Sequence, residues 1–287
     1  MQEEKFVEKT LKMKQLRVYA EEIRVKTLEV FAHLGFGHVG GAMSVVEAVA
    51  VLYGSMMKVD PADPNWPDRD KLIMSKGHAG PTLYATLAMK GFFPETMLRE
   101  LNQGGGRLPS HCDRNKTPGI DMTTGSLGQG ISAAIGVALG DRMDGRDCRT
   151  YAILGDGELD EGQNWEGFMF ARQYKLDNLC VLIDANGQQL DGYTKDVMDL
   201  DSIGDKLRAF GWATQEVDGH DIEQVYDALT KAKETKGLPS AIVLHTKKGH
   251  GCTFAEGILS NHHINFKPEQ MEEALASARA VLEAARQ

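Results

Sequence analysis

Apolar residues along the chain follow two rhythms. Leu16, Tyr19, Ile23, Val30 and Leu34 keep a helical spacing, which predicts a long first helix ending where "GFGHVGG" breaks the pattern. A second helix is expected from "SVVE", with Ser44 and Glu47 read as a capping box ahead of the apolar "AVAVLY". Further helices are expected over about 80–90, 95–103 and from Ile131 to about Arg142. The second rhythm is unbroken: "TYAILGD", "NLCVLID" and "SAIVLHT" are apolar almost throughout, and "KLIMS" reads as an earlier strand. Helical segments around 161–174, 200–210 and 221–236 lie between these runs, with a shorter apolar stretch, "WATQEVD", between the last two. Strands this continuous are buried on both faces. Their alternation with helices predicts an α/β fold, a doubly wound and mostly parallel sheet flanked by helices. The stretch 104–124 is rich in Gly, Pro and Asp and irregular, the kind of long connection usually kept for function. Pro268 opens a last helix with acids in its first turn. No repeat or clear linker divides the chain, so residues 1–287 read as a single domain with a helical tail from about 267.

Composition narrows the partners. The 287 residues carry a formal net charge of −9, which argues against nucleic acid or an anionic membrane, since both call for clustered Lys and Arg. Cys112, Cys148, Cys180 and Cys252 are far apart and form no C-x-x-C, so reduced thiols and a cytoplasmic setting are expected. Residues 2–15 are charge-rich and do not resemble a signal peptide, and no apolar run approaches the roughly 20 residues that span a bilayer.

Candidate chemistry sits at the ends of two of the buried runs. Ligands of a parallel sheet bind beyond the carboxyl ends of its strands. Gly155, Asp156 and Gly157 lie at that edge, and Asn186 takes the same place after the next strand. Asp156 offers a hard anionic oxygen and Asn186 a neutral one, a weak cage for Mg²⁺ that phosphate oxygens and water would complete. A plain turn is the competing reading of the tripeptide alone. The glycines at 155, 157 and 162 miss the G-x-G-x-x-G dinucleotide spacing, and no P-loop pattern occurs.

From Gly155 to Asn186 the sequence resembles the thiamine diphosphate motif, and the order of "GHVGG", "SKGHAGPTLYA", "TTGSLGQGIS", "GDGELDEGQNWEG", "IDANGQQLDG" and "GWATQEVDGHD" resembles the transketolases over approximately residues 15–265. The resemblance implies thiamine diphosphate and Mg²⁺ as cofactors, with Ca²⁺ or Mn²⁺ as substitutes. It implies that Asp156, Asn186 and the backbone carbonyl of Gln188 hold the metal, and that Gly157 lets backbone N–H reach the diphosphate. Gly125 and Leu127 match a turn lining the cofactor. His38, His78, His111 and His263 fall where the family uses histidines against substrate or diphosphate; His33 on the first helix, His220 in a turn, and His245 and His250 around the last strand's exit are not read as site residues. Glu161 matches an acid at the subunit interface; an exposed acid in the first turn of a helix is the plain competing reading.

The family activates its cofactor with a Glu from a second, pyrimidine-binding domain that is not found here. The resemblance therefore implies the N-terminal subunit of a split transketolase, working in an α2β2 assembly with a C-terminal pyrimidine-domain subunit. The reaction implied is two-carbon ketol transfer from a ketose phosphate to an aldose. Two stretches depart from the family. "NQGGGRLPSHCDRNKTPGID" replaces a Gly-Ser-Arg-like run and a Gly-His-Pro, and "LSNHHIN" replaces Trp/Val-His-Gly, leaving His262 or His263 as the match, with position favouring His263. Both border the substrate channel in the family. A specialised branched or sulfonated sugar thus stands beside the ordinary pentose-phosphate role. The same residues also leave room for a 1-deoxyxylulose-5-phosphate synthase-like fragment or a non-catalytic binding paralogue.

Overall fold

The computed structural model describes residues 2–287, with side chains from Val7 onward. Helix α1 (Gln2–Leu34) runs to the glycine-rich break and is followed by the two-residue strand β1 (Phe36–Gly37) and the short helices α2 (Val39–Met43) and α3 (Val46–Val51). Then come β2 (Lys71–Met74), α4 (Gly80–Lys90), α5 (Gln129–Met143), β3 (Thr150–Gly155), α6 (Gly162–Gln173) and β4 (Leu179–Ala185). The chain closes with α7 (Thr194–Val197), α8 (Ile203–Ala209), β5 (Ala213–Asp218), α9 (Ile222–Glu234), β6 (Ser240–His245), β7 (Ile264–Asn265) and α10 (Pro268–Arg286). The larger sheet is parallel in the order β2-β3-β4-β6-β5. Strands β1 and β7 pair antiparallel apart from it.

The unbroken apolar runs are explained by what covers each face. Along β3 and β4, Tyr151, Ile153, Cys180 and Leu182 pack with α1, α3, α4 and α9. Their neighbours Ala152, Leu154, Val181 and Ile183 pack on the other face with α5, α6 and α8. Side chains alternate across a strand, so a strand covered on both faces is apolar along most of its length, and the polar residues of β3 and β4, Thr150 and Asp184, lie towards the strand ends. β5 is an edge strand and half-exposed, which is why "WATQEVD" reads less apolar. The tail is docked: Met271, Ala274, Ala278 and Leu282 of α10 pack with Val25, Leu28 and Phe31 of α1. All four cysteines are buried and unpaired. No helix among the described residues is long and apolar enough to cross a membrane.

Two local expectations need correction. Ser44 and Glu47 form no capping box, and the chain makes two short helices there, with Val45 as the uncapped start of α3. Both side chains are buried and bond to groups far away in sequence: Ser44 Oγ donates to Asp184, and Glu47 pairs with Arg24. A buried carboxylate or guanidinium gains more from a charged partner than a helix end gains from a cap. The helix expected over 95–103 is a 3₁₀ segment, Glu95–Glu100.

Candidate functional site

A cavity of about 290 Å³ opens where β2, β3, β4 and β6 end. Asp156 and Asn186 line it from the ends of β3 and β4, together with Gln188. Asp156 is buried and accepts N–H bonds from Gly157 (2.9 Å) and Gly187 (2.6 Å). Burial, reinforced by nearby Asp184, pushes its carboxyl up to about 7 despite those N–H groups. Asn186 donates from Nδ2 to Asp184 (2.8 Å), and its Oδ1 accepts the Gln188 N–H (3.0 Å). Gly157 has to be glycine for space, since a Cβ there would lie 2.6 Å from Gln189 Cβ.

Two lysines face the same cavity, and the sequence reading missed both. Lys76, at the exit of β2, is buried against Asp184 (2.5 Å). Lys248, beyond β6, donates to the Gln188 carbonyl (3.3 Å). Burial lowers the Lys248 ammonium to about 8, and Lys76 adds to that, while Asp156 and Asp184 pull it back. These groups fit a divalent cation and a diphosphate. A carboxylate, an amide oxygen and a carbonyl are the hard donors Mg²⁺ prefers. A buried acid held above its ordinary value gains from a cation, and two crowded ammoniums gain from an anion.

Histidines form the rim. The His38 ring lies 5.7 Å from His78, 5.3 Å from His111, 5.5 Å from His262 and 4.8 Å from His263. Loops distant in sequence meet here because β1 pairs with β7, and because Gly40 and Gly41 leave room. A Cβ on Gly41 would stand 2.8 Å from the His78 ring, and one on Gly40 would stand 2.6 Å from the Asn261 carbonyl. The fold places the two candidate histidines, His262 and the positionally favoured His263, differently. His262 lines the cavity, 4.7 Å from His78 and 3.3 Å from the Lys248 ammonium, while His263 is exposed beside Phe36. Burial lowers His38 to about 4, with His263 and His111 adding to it. Burial and then Lys248 lower His262 to about 3; burial and then Lys76 take His78 well down; burial lowers His111. Each of these shifts favours the neutral imidazole, which has one donor and one acceptor nitrogen.

The remaining expected residues surround this centre. Leu127 and the exposed Glu161 line the cavity, and Gly125 lies against His111. Glu158, also missed, is buried and accepts from Ser75 Oγ, Gly128 N–H (2.9 Å) and Gly155 N–H (3.1 Å), tying three loops together. Its signal was an acid inside the short turn after β3, where solvent exposure is the usual reading. Behind the cavity, Glu47, His220 and His250 bring ligand atoms within 4.8 Å of one another. The His220 Nε2 accepts the Lys247 N–H (2.8 Å), so its proton is on Nδ1, facing Glu47 (3.2 Å). The two imidazoles are stacked, with centroids 3.8 Å apart. That geometry is a hydrogen-bonded ion cluster and not a metal seat.

The family model for the transketolase thiamine diphosphate-binding domain matches residues 16–278. The chain belongs to the transketolase family. It is 51% identical over 261 residues to a 6-deoxy-6-sulfo-D-fructose transketolase subunit of a Clostridium species (strain MSTE9), covering 91% of this chain and 95% of that one. It is 37% identical over 265 residues to an apulose-4-phosphate transketolase subunit of Phocaeicola vulgatus, covering 92% and 94%. Transketolase from Leishmania mexicana superposes with a TM-score of 0.84 at 31% identity over 94% of this chain. This chain spans only 45% of that transketolase, whose whole activity therefore does not transfer by likeness alone.

Proposed function

We propose that this chain acts as one thiamine diphosphate-binding domain and is the diphosphate-binding subunit of a two-component transketolase. The observation that carries this reading is the hard-oxygen trio of Asp156, Asn186 and Gln188 beside two buried ammoniums at adjoining strand ends. Asp156, Asn186 and the Gln188 carbonyl would hold Mg²⁺, and Lys76, Lys248, His78 and His262 would face the diphosphate. When bound, thiamine diphosphate supplies the carbon nucleophile and electron sink that side chains lack. This chain's own residues then bind, orient and move protons. Neutral imidazoles of His38 and His111, with His263 beside them, hold ketose hydroxyls and exchange protons with the sugar oxygens.

A partner subunit completes the site. Leu190 lines the cavity yet is 67% exposed, and Glu161 is exposed at the same rim. We read Leu190 and Glu161 as part of the rim that this partner would cover. The expected partner carries the pyrimidine-binding domain and the acid that activates the cofactor, in an α2β2 assembly. The 51% identity to a sulfofructose transketolase subunit makes a sulfonated ketose the leading donor. Removing two carbons leaves an aldose two carbons shorter that still carries the sulfonate, and the ketol unit passes to an aldose phosphate.

The test is reconstitution with a pyrimidine-domain subunit, Mg²⁺ and thiamine diphosphate. The complex should turn over 6-deoxy-6-sulfofructose with kcat/KM at least about tenfold above fructose 6-phosphate, a difference of about 1.4 kcal/mol in transition-state stabilisation. The chain alone should be inactive. Turnover by the isolated chain would overturn the two-component reading. Preference for the phosphorylated sugar would overturn the donor assignment, and decarboxylation of pyruvate would point to synthase chemistry instead.

A further inference from the structure

Asp184 is the sixth residue of β4 and has no exposed surface. Four donors from four different segments converge on it. Lys76 Nζ (2.5 Å), Ser44 Oγ (2.7 Å) and Asn186 Nδ2 (2.8 Å) donate to its Oδ2, and Thr246 Oγ1 donates to its Oδ1. A lysine alone would account for a buried carboxylate. It does not account for the amide of Asn186 bonding to the same oxygen as the ammonium.

The amide of Asn186 has nearly the same shape in either orientation, and only its hydrogen bonds decide which end is oxygen. An ionised carboxylate only accepts, so the group facing Asp184 must be the NH₂. The oxygen is thereby turned away from the protein interior, to the side where it accepts the Gln188 N–H and where Asp156 lines the cavity. The same carboxylate draws the Lys76 ammonium to the floor. We infer that Asp184 is a positioning residue for the divalent cation: it fixes the amide of Asn186 oxygen-outward and keeps Lys76 from competing for the seat. This inference rests on the cation reading proposed above. Asparagine at 184 would offer donors as well as an acceptor and would no longer dictate which end of Asn186 faces outward.

The test is a double-mutant cycle in the chain–partner complex, combining Asp184→Asn with Asn186→Ala. The readout is the Mg²⁺ dissociation constant, from calorimetric titration of Mg²⁺ in saturating thiamine diphosphate. Wild-type protein should show Mg²⁺ binding; if it shows none, the cation reading itself fails, separately from this inference. Asp184→Asn should weaken Mg²⁺ about 10- to 100-fold, the usual effect of removing a residue that orients a metal ligand. With Asn186 already Ala and Lys76 already Met, the same change should cost less than about twofold, because both of its targets are gone. An equal loss in both backgrounds would make Asp184 merely structural and overturn the inference, as would unchanged affinity in D184N. Because D184N leaves the Lys76 charge unpaired, the cycle is repeated with Lys76→Met in every arm. That background removes the unpaired charge and keeps the question about Asn186 open to either answer.

Discussion

Asp184 and Glu47 are both buried carboxylates beside a buried cation, and they sit in opposite kinds of surroundings. Glu47 is answered completely: Arg24 pairs with it, His220 donates to it, and the Arg24 Nη1 also donates to the His250 carbonyl (2.6 Å). Burial works against its charge, but Arg24 and His220 outweigh burial and hold the carboxyl below its ordinary value. Asp184 is likewise held low: burial raises it, but Lys76, Thr246 and Ser44 outweigh burial. Its neighbours are not answered. Asp156 is pushed up to about 7 and Lys248 down to about 8. Two clusters of similar composition are thus told apart by whether any charge is left over. The closed cluster supports the fold; the open one has room for a cation and an anion. One loop joins them, placing Thr246 on Asp184, the Lys247 N–H on His220 and Lys248 in the cavity.

The largest effect should come from opening the closed cluster. Arg24→Met leaves Glu47 buried without its cation and should cost about 3–5 kcal/mol of stability by denaturant titration. A loss under about 1 kcal/mol would mean that Glu47 is answered by the histidines alone. Next, Asp156→Ala should weaken Mg²⁺-dependent cofactor retention by at least about 100-fold, near 2.7 kcal/mol, while leaving the metal-free fold intact. Unchanged cofactor affinity would sink the metal assignment.

The two clusters should also answer pH with opposite signs. The carboxyl of Asp156 titrates higher in the folded state than its ordinary 3.8. Its contribution is therefore fully present below about 4 and is lost as pH rises through about 7. Asp156→Asn stays neutral, so metal-free D156N should gain in unfolding midpoint over wild type across that window, with Mg²⁺ narrowing the gap. Glu47 is depressed, so its contribution is present above its ordinary 4.5 and is lost as pH falls through the lower folded value. A D156N gain that is the same at pH 4 and pH 7.5 would show that Asp156 carries no such strain. The smallest effect separates neighbouring histidines. His262→Gln should weaken the cofactor about tenfold, one hydrogen bond to a charged group, whereas His263→Gln should leave cofactor affinity within about twofold and raise KM for the ketose.

Strands, layers and the spacing from Asp156 to Asn186 were legible because each is a local pattern, and burial of a parallel strand writes itself into consecutive residues. The residues that answer one another across the sheet were not. Ser44 and Glu47 looked like a cap because their spacing is local, whereas their partners Asp184 and Arg24 are 140 and 23 positions away. Lys76 and Lys248 look like ordinary solvated lysines in sequence; only the convergence of β2 and β6 at one edge buries them. "SKGH" and "TKKG" did carry a faint signal, a lysine within three residues of the end of an apolar strand, at the edge where ligands of a parallel sheet bind. The choice between His262 and His263 turned on the register of β7 against β1, which no spacing rule supplies.

The pairing of Phe36 with Asn265 and Gly37 with Ile264 has a consequence for the order of assembly. Strands β3 and β4 are neighbours in sequence and can pair as soon as α6 has formed between them. The histidine rim draws on both ends of the chain, and contacts of such long sequence separation close slowly and late. During synthesis the N-terminal segment leaves the ribosome long before its partner strand exists. The "GHVGG" loop must then wait, open, until nearly the whole chain has emerged. The strand ends carrying Asp156 and Asn186 can be in place first, and the histidine rim is the last part of the site to exist.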